Sequence, residues 1–159
     1  MAVDPCKRTS LHCLHHWAEH TPDAVYLSQP GPDGQVEDIT WRQAADQVSR
    51  MAGYLEQLAL PDCSNIAILG RNSAHWILAD LAIWAAGHVS VPLYPTLNGD
   101  TARYILEHCE ARLLFLGKMD GSADGWHGIR DRLPCILHIL LWHRPIRYAV
   151  KVNFIYTTP

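Results

Sequence analysis

The stretch NIAILGRNSAHWILADLAIWAAGHVSVPLYPT, residues 65–96, decides the fold of this chain. It opens with an apolar run, residues 66–69, that Gly70 closes. Such a short apolar run is typical of a strand buried on both faces of a sheet. Asn72 or Ser73 can then cap a helix, because the side-chain oxygen of either residue can accept a bond from an unpaired backbone N–H.

The predicted helix has few polar interruptions, so we expect it to be largely covered. Its large apolar residues are Trp76, Ile77, Leu81, Ile83 and Trp84. Core packing accounts for both tryptophans without a ligand. Gly87 ends the helix, since glycine takes the left-handed conformation without a steric penalty. Residues 89–93 then alternate as a second strand, and the whole stretch predicts a parallel β–α–β unit.

The residues before this unit predict two helices and a hairpin. Thr9 or Ser10 can cap a first helix that runs to about His20. Residues 24–27 and 35–39 flank the turn sequence PGPDG and form the predicted hairpin. A second helix follows the hairpin: Thr40 caps it, apolar residues recur at helical spacing, and it ends near Ala59.

After the central unit, Asp100 or Thr101 can cap a helix that ends near Glu110. Its predicted inner stripe consists of Tyr104, Ile105 and Cys109. Residues 112–117 and 135–141 read as two further strands, with a short helix near Ile129 between them. The pattern predicts an α/β fold: a mostly parallel sheet with helices on both faces.

Composition narrows the class of protein. The chain has 159 residues, of which 48% are apolar and 18% charged, and a net charge of −3 that argues against a nucleic-acid surface. The five cysteines form no C-x-x-C pair, which indicates reduced thiols. No signal peptide and no apolar run of about 20 residues is present. We expect a soluble, cytoplasmic protein without a transmembrane segment.

An ordered series of short motifs resembles the N-terminal region of adenylate-forming (AMP-binding) enzymes, and among these the long-chain fatty-acyl-CoA synthetases. The similarity extends from about Leu11 to about Leu133. Upstream motifs are Thr21-Pro22-Asp23-Ala24 and Ile39-Thr40-Trp41-Arg42. The central motifs are Gly70-x-Asn72-Ser73-x-x-Trp76, Ala79-Asp80-Leu81-Ala82 and Ala86-Gly87-x-x-x-Val91-Pro92-Leu93-Tyr94-Pro95-Thr96.

The resemblance implies a reaction and its cofactors. Enzymes of this family join a fatty acid to coenzyme A: ATP and Mg²⁺ support formation of an acyl-AMP, and the coenzyme A thiol then replaces AMP. The family's phosphate loop is rich in Gly, Ser and Thr and ends in lysine. Its nearest counterpart here, Ile155-Tyr156-Thr157-Thr158-Pro159, has neither glycine nor lysine. The family's later adenine-binding, ribose-binding and catalytic-lysine segments have no counterpart.

These absences predict that the chain has no catalytic residues of its own and binds none of the three cofactors tightly. Residues 9–140 correspond to an incomplete N-terminal subdomain of the adenylate-forming fold. Residues 141–159 form a divergent or frame-shifted tail. The leading hypothesis is an inactive, truncated fatty-acid–CoA ligase. The alternative is a non-enzymatic remnant or complementing subunit that binds a protein partner, such as a separately encoded C-terminal piece.

The loop Tyr94-Pro95-Thr96 follows a strand at the edge where open α/β sheets place ligands. The resemblance places it on the coenzyme A side of the cleft, whereas the residues alone favour a plain β–α connection. The segment 70–73 offers backbone N–H groups and Arg71 to an anion. A helix cap with a solvated arginine is the simpler interpretation.

The segment His16-Trp17-Ala18-Glu19-His20 matches H-x-x-E-H, a zinc signature of metalloproteases. Its two histidines share a helical face with His12, but that face lies opposite the apolar residues, so we expect it in solvent. No third ligand within a shielded cleft is apparent, and no catalytic metal site is predicted. A small metal-binding protein using these three histidines is the third hypothesis.

Overall fold

The computed structural model describes residues 9–31, 33–117, 129 and 133, and the backbone of residues 138–141 and 151–152. It divides into two compact units. The first unit comprises Met1–Ala59 and Ser73–Ala86, and the second comprises Leu60–Asn72 and Gly87–Pro159.

Among the described residues, the helices of the first unit are α1 (Ser10–His20), α2 (Trp41–Gln57) and α3 (Ala74–Ala85). Each begins where a hydroxyl accepts a bond from an N–H of the first turn; the cap residues are Thr9, Thr40 and Ser73. α2 has a full capping box, because Thr40 N–H also donates to the Gln43 side chain at 2.9 Å. α2 packs against both α1 and α3. The predicted helix starts are confirmed, with Ser73 rather than Asn72 as the cap of α3.

Much of α3 lies in the core, as its apolar sequence predicts. Its buried side chains are Ala74, Leu78, Ala79, Leu81, Ala82 and Ile83. The prediction that Trp84 is a core residue is wrong, since 40% of it is exposed, and Ile77 is 37% exposed. Residues seven apart share one face of a helix, and this face lies outside the core.

The predicted hairpin is confirmed as the antiparallel strands β1 (Val25–Pro30) and β2 (Val36–Thr40). A register shift after Val25 marks a bulge. The Tyr26 ring beside it stacks on Trp41, with ring centroids 3.8 Å apart. The Gln29 side chain accepts a 2.8 Å bond from Ala74 N–H, which ties the hairpin to the start of α3.

The second unit contains a mixed sheet and the helix α4 (Gly99–His108). The sheet has the order β4-β3-β5-β6-β7. All its strand pairs are parallel except the last, in agreement with the predicted α/β class. The strands are β3 (Asn65–Leu69), β4 (Val89–Leu93), β5 (Leu113–Leu116), β6 (His138–Leu141) and β7 (Lys151–Val152).

The strand β3 lies between β4 and β5, and residues 66–69 are all buried, as predicted. β4 lies at one end of the described sheet. Val89 N–H donates to Ser64 O at 3.0 Å, so the alternate residues Val89, Val91 and Leu93 direct their backbone groups toward β3. Pro92 occupies an outward position, where its missing N–H breaks no ladder bond.

One face of the sheet carries α4. The cluster between them comprises Ala67, Leu69, Leu93, Ala102, Leu106, Leu114, Leu116 and Ile129. Two predictions for α4 are wrong. Its cap is Asn98, whose side chain accepts from Thr101 N–H at 2.8 Å, rather than Asp100 or Thr101. Its inner stripe consists of Ala102 and Leu106, with Ile105 partly buried against the cluster, whereas Tyr104 is 66% exposed.

Gly87 ends the helical segment with a positive φ of 75°, as predicted. Ile129 is helical and buried, and β6 falls within the predicted strand 135–141. The predicted tail, residues 141–159, lies outside the described residues apart from Leu141 and the backbone of β7. Within the part of the chain that the structure describes, no helix is both long enough and apolar enough to cross a membrane.

Candidate functional site

Three parallel strands of the second unit end side by side. Leu69 of β3 is paired with Leu93 of β4 on one side and with Leu116 of β5 on the other. The residues that follow, Gly70, Tyr94 and Gly117, therefore line up along the carboxyl edge of the sheet. Open α/β sheets bind ligands at this edge, so we take it as the candidate site.

The predicted loop Tyr94-Pro95-Thr96 is a tight turn at this edge. Leu97 N–H donates to Tyr94 O at 3.1 Å, so Pro95 occupies the second position of the turn, which its fixed φ favours. Leu93 before the turn is buried, and Leu97 after it packs against the core. The turn is therefore anchored at both ends. It presents the Tyr94 side chain, 77% exposed, and the exposed Thr96 hydroxyl to solvent.

Gly70 and Gly117 bring the ends of β3 and β5 into backbone contact. Gly117 N–H donates to Leu69 O at 2.8 Å. A Cβ added at Gly70 would lie 2.9 Å from Gly117 Cα, so no larger residue fits without a backbone shift. The role of Gly117 was not predicted. The sequence contains a signal for it, since a glycine directly follows each of the apolar runs 66–69 and 113–116.

The start of α3 is the predicted anion-binding alternative. Two of its N–H groups are occupied, because Trp76 N–H donates to Ser73 Oγ at 3.2 Å and Ala74 N–H donates to Gln29 Oε1. Burial lowers the pKa of His75, although Glu37 acts in the opposite direction. A neutral imidazole supplies no cation for an anion. The geometry therefore agrees with the simpler interpretation, a capped helix start beside an exposed Arg71.

The histidines of the H-x-x-E-H segment lie on the exposed side of α1, as predicted. The rings of His16 and His20 stack with their centroids 4.1 Å apart. The ring of His12 contacts the cap instead, with Nδ1 3.2 Å from Thr9 Oγ1. Within the described ranges, no group of three or more His, Cys, Asp or Glu residues is placed to hold a metal ion.

The described residues of this edge have only some of the features of a triphosphate site. A triphosphate needs several convergent N–H donors and a lysine or arginine. Arg71 follows Gly70 at this edge, and the turn after β4 offers hydroxyls rather than several convergent N–H groups. The segment 155–159 lies outside the described residues.

Comparison with known proteins decides the family. A model of the family described as AMP-binding enzyme matches residues 14–144 of the chain. The chain belongs to the AMP-binding enzyme family. This result confirms the resemblance deduced from the central motifs, including those at the carboxyl edge of the sheet.

Curated relatives of this AMP-binding chain include long-chain-fatty-acid–CoA ligases. One is FadD15 of Mycobacterium tuberculosis, which is 34% identical over 119 residues. The match covers 75% of this chain and 20% of FadD15, so the chain spans about a fifth of that relative's length. Long chain acyl-CoA synthetase 4 of Arabidopsis thaliana is 31% identical over 86 residues, 54% of this chain and 13% of that protein.

Solved structures confirm the fold of the AMP-binding chain. The anthranilate CoA ligase AuaEII, crystallised in complex with anthranoyl-AMP, superposes with a TM-score of 0.71 and 22% identity. The superposition covers 87% of this chain and 26% of AuaEII. At this identity the similarity establishes the shared α/β fold.

Proposed function

We propose that residues 9–140 supply part of the N-terminal domain of an ATP-dependent fatty-acid–CoA ligase. The observation that carries this proposal is the family match over residues 14–144, together with 34% identity to a ligase named for long-chain fatty acids. In that reaction the fatty carboxylate attacks the α-phosphate of ATP and releases pyrophosphate. The coenzyme A thiol then attacks the acyl carbonyl and releases AMP.

The role proposed for this chain is to build the sheet on which the ligase site forms. β3, β4 and β5 end together, and the Gly70–Gly117 contact holds two of these ends in register. Tyr94 and Thr96 extend from this rigid base, on the side proposed for coenzyme A. Their hydroxyls are suited to orient a polar ligand, and neither is assigned a bond-making step.

The 159 residues alone are proposed to be inactive, because neither the described residues nor the sequence supplies a triphosphate cradle with its lysine. A phosphate loop and a catalytic lysine would come from a further polypeptide segment, such as a separately encoded piece, and Mg²⁺ would bind from solution with the ATP phosphates. The free thiols of Cys13, Cys63 and Cys109 support a reducing compartment, and we place the protein in the cytoplasm.

A chimera tests the proposal. The segment of FadD15 that aligns with this chain is replaced by the corresponding residues of this chain, and acyl-CoA formation is measured. We expect activity in the chimera and no ATP–pyrophosphate exchange by the 159-residue chain alone. A folded chimera without activity, or exchange by the chain alone, would contradict the proposal.

Substitutions in the active chimera test the turn. Tyr94→Phe and Thr96→Ala should each raise the KM for coenzyme A by about threefold to tenfold, the value of one hydrogen bond, and leave the KM for ATP unchanged. Thr101→Ala is the matched control, because this hydroxyl lies on the exposed side of α4. Equal changes in both KM values would reject the coenzyme A assignment.

A further inference from the structure

The residue that caps α4 is followed directly by glycine. Asn98-Gly99 is the single Asn-Gly pair in the sequence; Asn65, Asn72 and Asn153 precede isoleucine, serine and phenylalanine. The side-chain amide of an asparagine can be attacked by the backbone nitrogen of the next residue. Glycine hinders this attack least, because it has no Cβ and the widest backbone freedom. Of the four asparagines, Asn98 is therefore the one whose sequence favours deamidation.

Both reacting groups are accessible in the fold. Asn98 is exposed. Gly99 is the first residue of α4, so its N–H has no acceptor within the helix. The attacking nitrogen is thus not held by a helical hydrogen bond. The positive end of the helix dipole also favours the deprotonated form of this nitrogen, which is the form that attacks.

The cap keeps these two groups from reacting. Asn98 Oδ1 accepts from Thr101 N–H at 2.8 Å, and Asn98 O accepts from Ala102 N–H at 3.0 Å. Asn98 is extended, with a φ of −76° and a ψ of 163°. Closing a succinimide ring needs Cβ and the Gly99 nitrogen nearly eclipsed about the Cα–C bond, and this ψ turns them well away from that arrangement. The cap therefore has to open before the ring can close.

We propose that Asn98 is a deamidation site whose rate is set by the opening of the α4 cap. In the open state, the deprotonated Gly99 nitrogen attacks Cγ of Asn98 and forms a new C–N bond. The bond from Cγ to the side-chain nitrogen breaks, and this nitrogen leaves as ammonia with a proton from water. Water then opens the succinimide at either carbonyl, which leaves aspartate or isoaspartate at position 98. The site is independent of the ligase proposal.

The two products affect α4 differently. An aspartate keeps the side-chain oxygen that accepts from Thr101 N–H, so the cap is retained. An isoaspartate adds a methylene to the main chain between Leu97 and Gly99. Leu97 closes the Tyr94 turn and packs against the core cluster. The isoaspartyl product therefore separates the start of α4 from this anchor.

Ageing of the 159-residue protein at mildly alkaline pH tests the site. Peptide mass spectrometry follows the change from amide to carboxyl at each asparagine, and an isoaspartate-specific methyltransferase with labelled S-adenosylmethionine detects the isoaspartyl product. In the protein unfolded in urea, Asn98 should react faster than the other three asparagines. In the folded protein it should react at least about threefold more slowly than in urea, because the cap must open first.

Two variants at one position separate the cap bond from the side chain beside it. Thr101→Pro removes the N–H that Asn98 Oδ1 accepts, within the first turn, where proline is tolerated. It should speed deamidation of the folded protein by about threefold to tenfold, the factor that the free energy of one cap gives. Thr101→Ala keeps the N–H and is the matched control, with a change of less than about twofold expected.

Gly99→Ala tests the attacking residue. The added Cβ should slow the reaction by at least about tenfold in the folded and in the unfolded protein. Faster reaction at Asn72, or no isoaspartate at position 98 after unfolding, would overturn the assignment of the site. Equal rates in Thr101→Pro and Thr101→Ala would overturn control by the cap. If Thr101→Pro did not fold, equal wild-type rates in urea and in buffer would do the same.

Discussion

At Gly70, a single methyl group decides whether the ends of β3 and β5 can meet. A Cβ there would lie 2.9 Å from the Cα of Gly117, a backbone atom that cannot swing away. We expect Gly70→Ala to lower the free energy of unfolding by about 1–3 kcal/mol, the usual cost of overpacking. Urea denaturation measures the change.

Gly53 supplies the control for this substitution. It lies inside α2, and an added Cβ would meet nothing within 4 Å. Gly53→Ala should therefore raise the free energy of unfolding by about 0.5–1 kcal/mol, because alanine favours the helix. Equal effects of the two substitutions would show that the close approach at Gly70 does not determine the change in the free energy of unfolding.

The residue His75 makes stability depend on pH. Burial lowers its pKa in the folded state, so the unfolded chain takes up a proton at higher pH than the folded chain does. Stability should therefore fall as the pH drops below about 6.5, the ordinary value for histidine, and level off below the folded-state pKa. His75→Gln should reduce the loss between pH 7.5 and pH 5.5. Urea midpoints that fall equally in both proteins would exclude His75 as the cause.

Among the elements, α4 tests which side chain starts a helix. Asn98 Oδ1 accepts the N–H of Thr101, and the Thr101 side chain is exposed. Asn98→Ala should lower the free energy of unfolding by about 1 kcal/mol, whereas Asn98→Asp should keep most of the stabilisation that the cap provides. Thr101→Ala should be nearly neutral. If Thr101→Ala lowered the free energy of unfolding as much as Asn98→Ala, Thr101 would be the cap, as the sequence suggested.

The elements also show what the sequence determines. Helix starts at Thr9, Thr40 and Ser73 were predictable, because a local side chain binds a local N–H. The inner face of α4 was not. Its apolar residues are compatible with two overlapping stripes, and packing against the sheet selects the aliphatic Leu106 over the larger Tyr104.

For the candidate site, the position of the Tyr94 turn could be predicted from the sequence, but the residues beside it in the sheet could not. A β–α–β pattern places a loop at the carboxyl edge of its own strand. The contact between Gly70 and Gly117 depends on β5 pairing with β3, and strand order is a property of the assembled sheet. Only the resemblance to ligases suggested a ligand for the turn.

At the scale of the whole molecule, neither unit is one continuous stretch of chain. The polypeptide passes between the units after Ala59, after Asn72 and after Ala86. Unfolding one unit therefore removes the fixed ends of segments that belong to the other, and we expect a single cooperative transition.

Two spectroscopic probes check this expectation. Trp17, Trp41, Trp76 and Trp84 all belong to the first unit. In a variant with Trp126 and Trp142 replaced by Phe, fluorescence reports that unit alone, whereas far-ultraviolet circular dichroism reports both. The two urea curves should coincide. Separate midpoints would mean that the units unfold independently.

The proline in β4 has a consequence for how copies of this protein meet one another. The end of a sheet is a template on which a neighbouring molecule can extend the ladder, the first event in fibrillar growth. Pro92 has no N–H to donate at the outward edge of β4, so an incoming strand would form one hydrogen bond fewer there. Pro92 thus leaves the hydrogen bonds between β4 and β3 intact and disfavours self-association through the outer edge of β4.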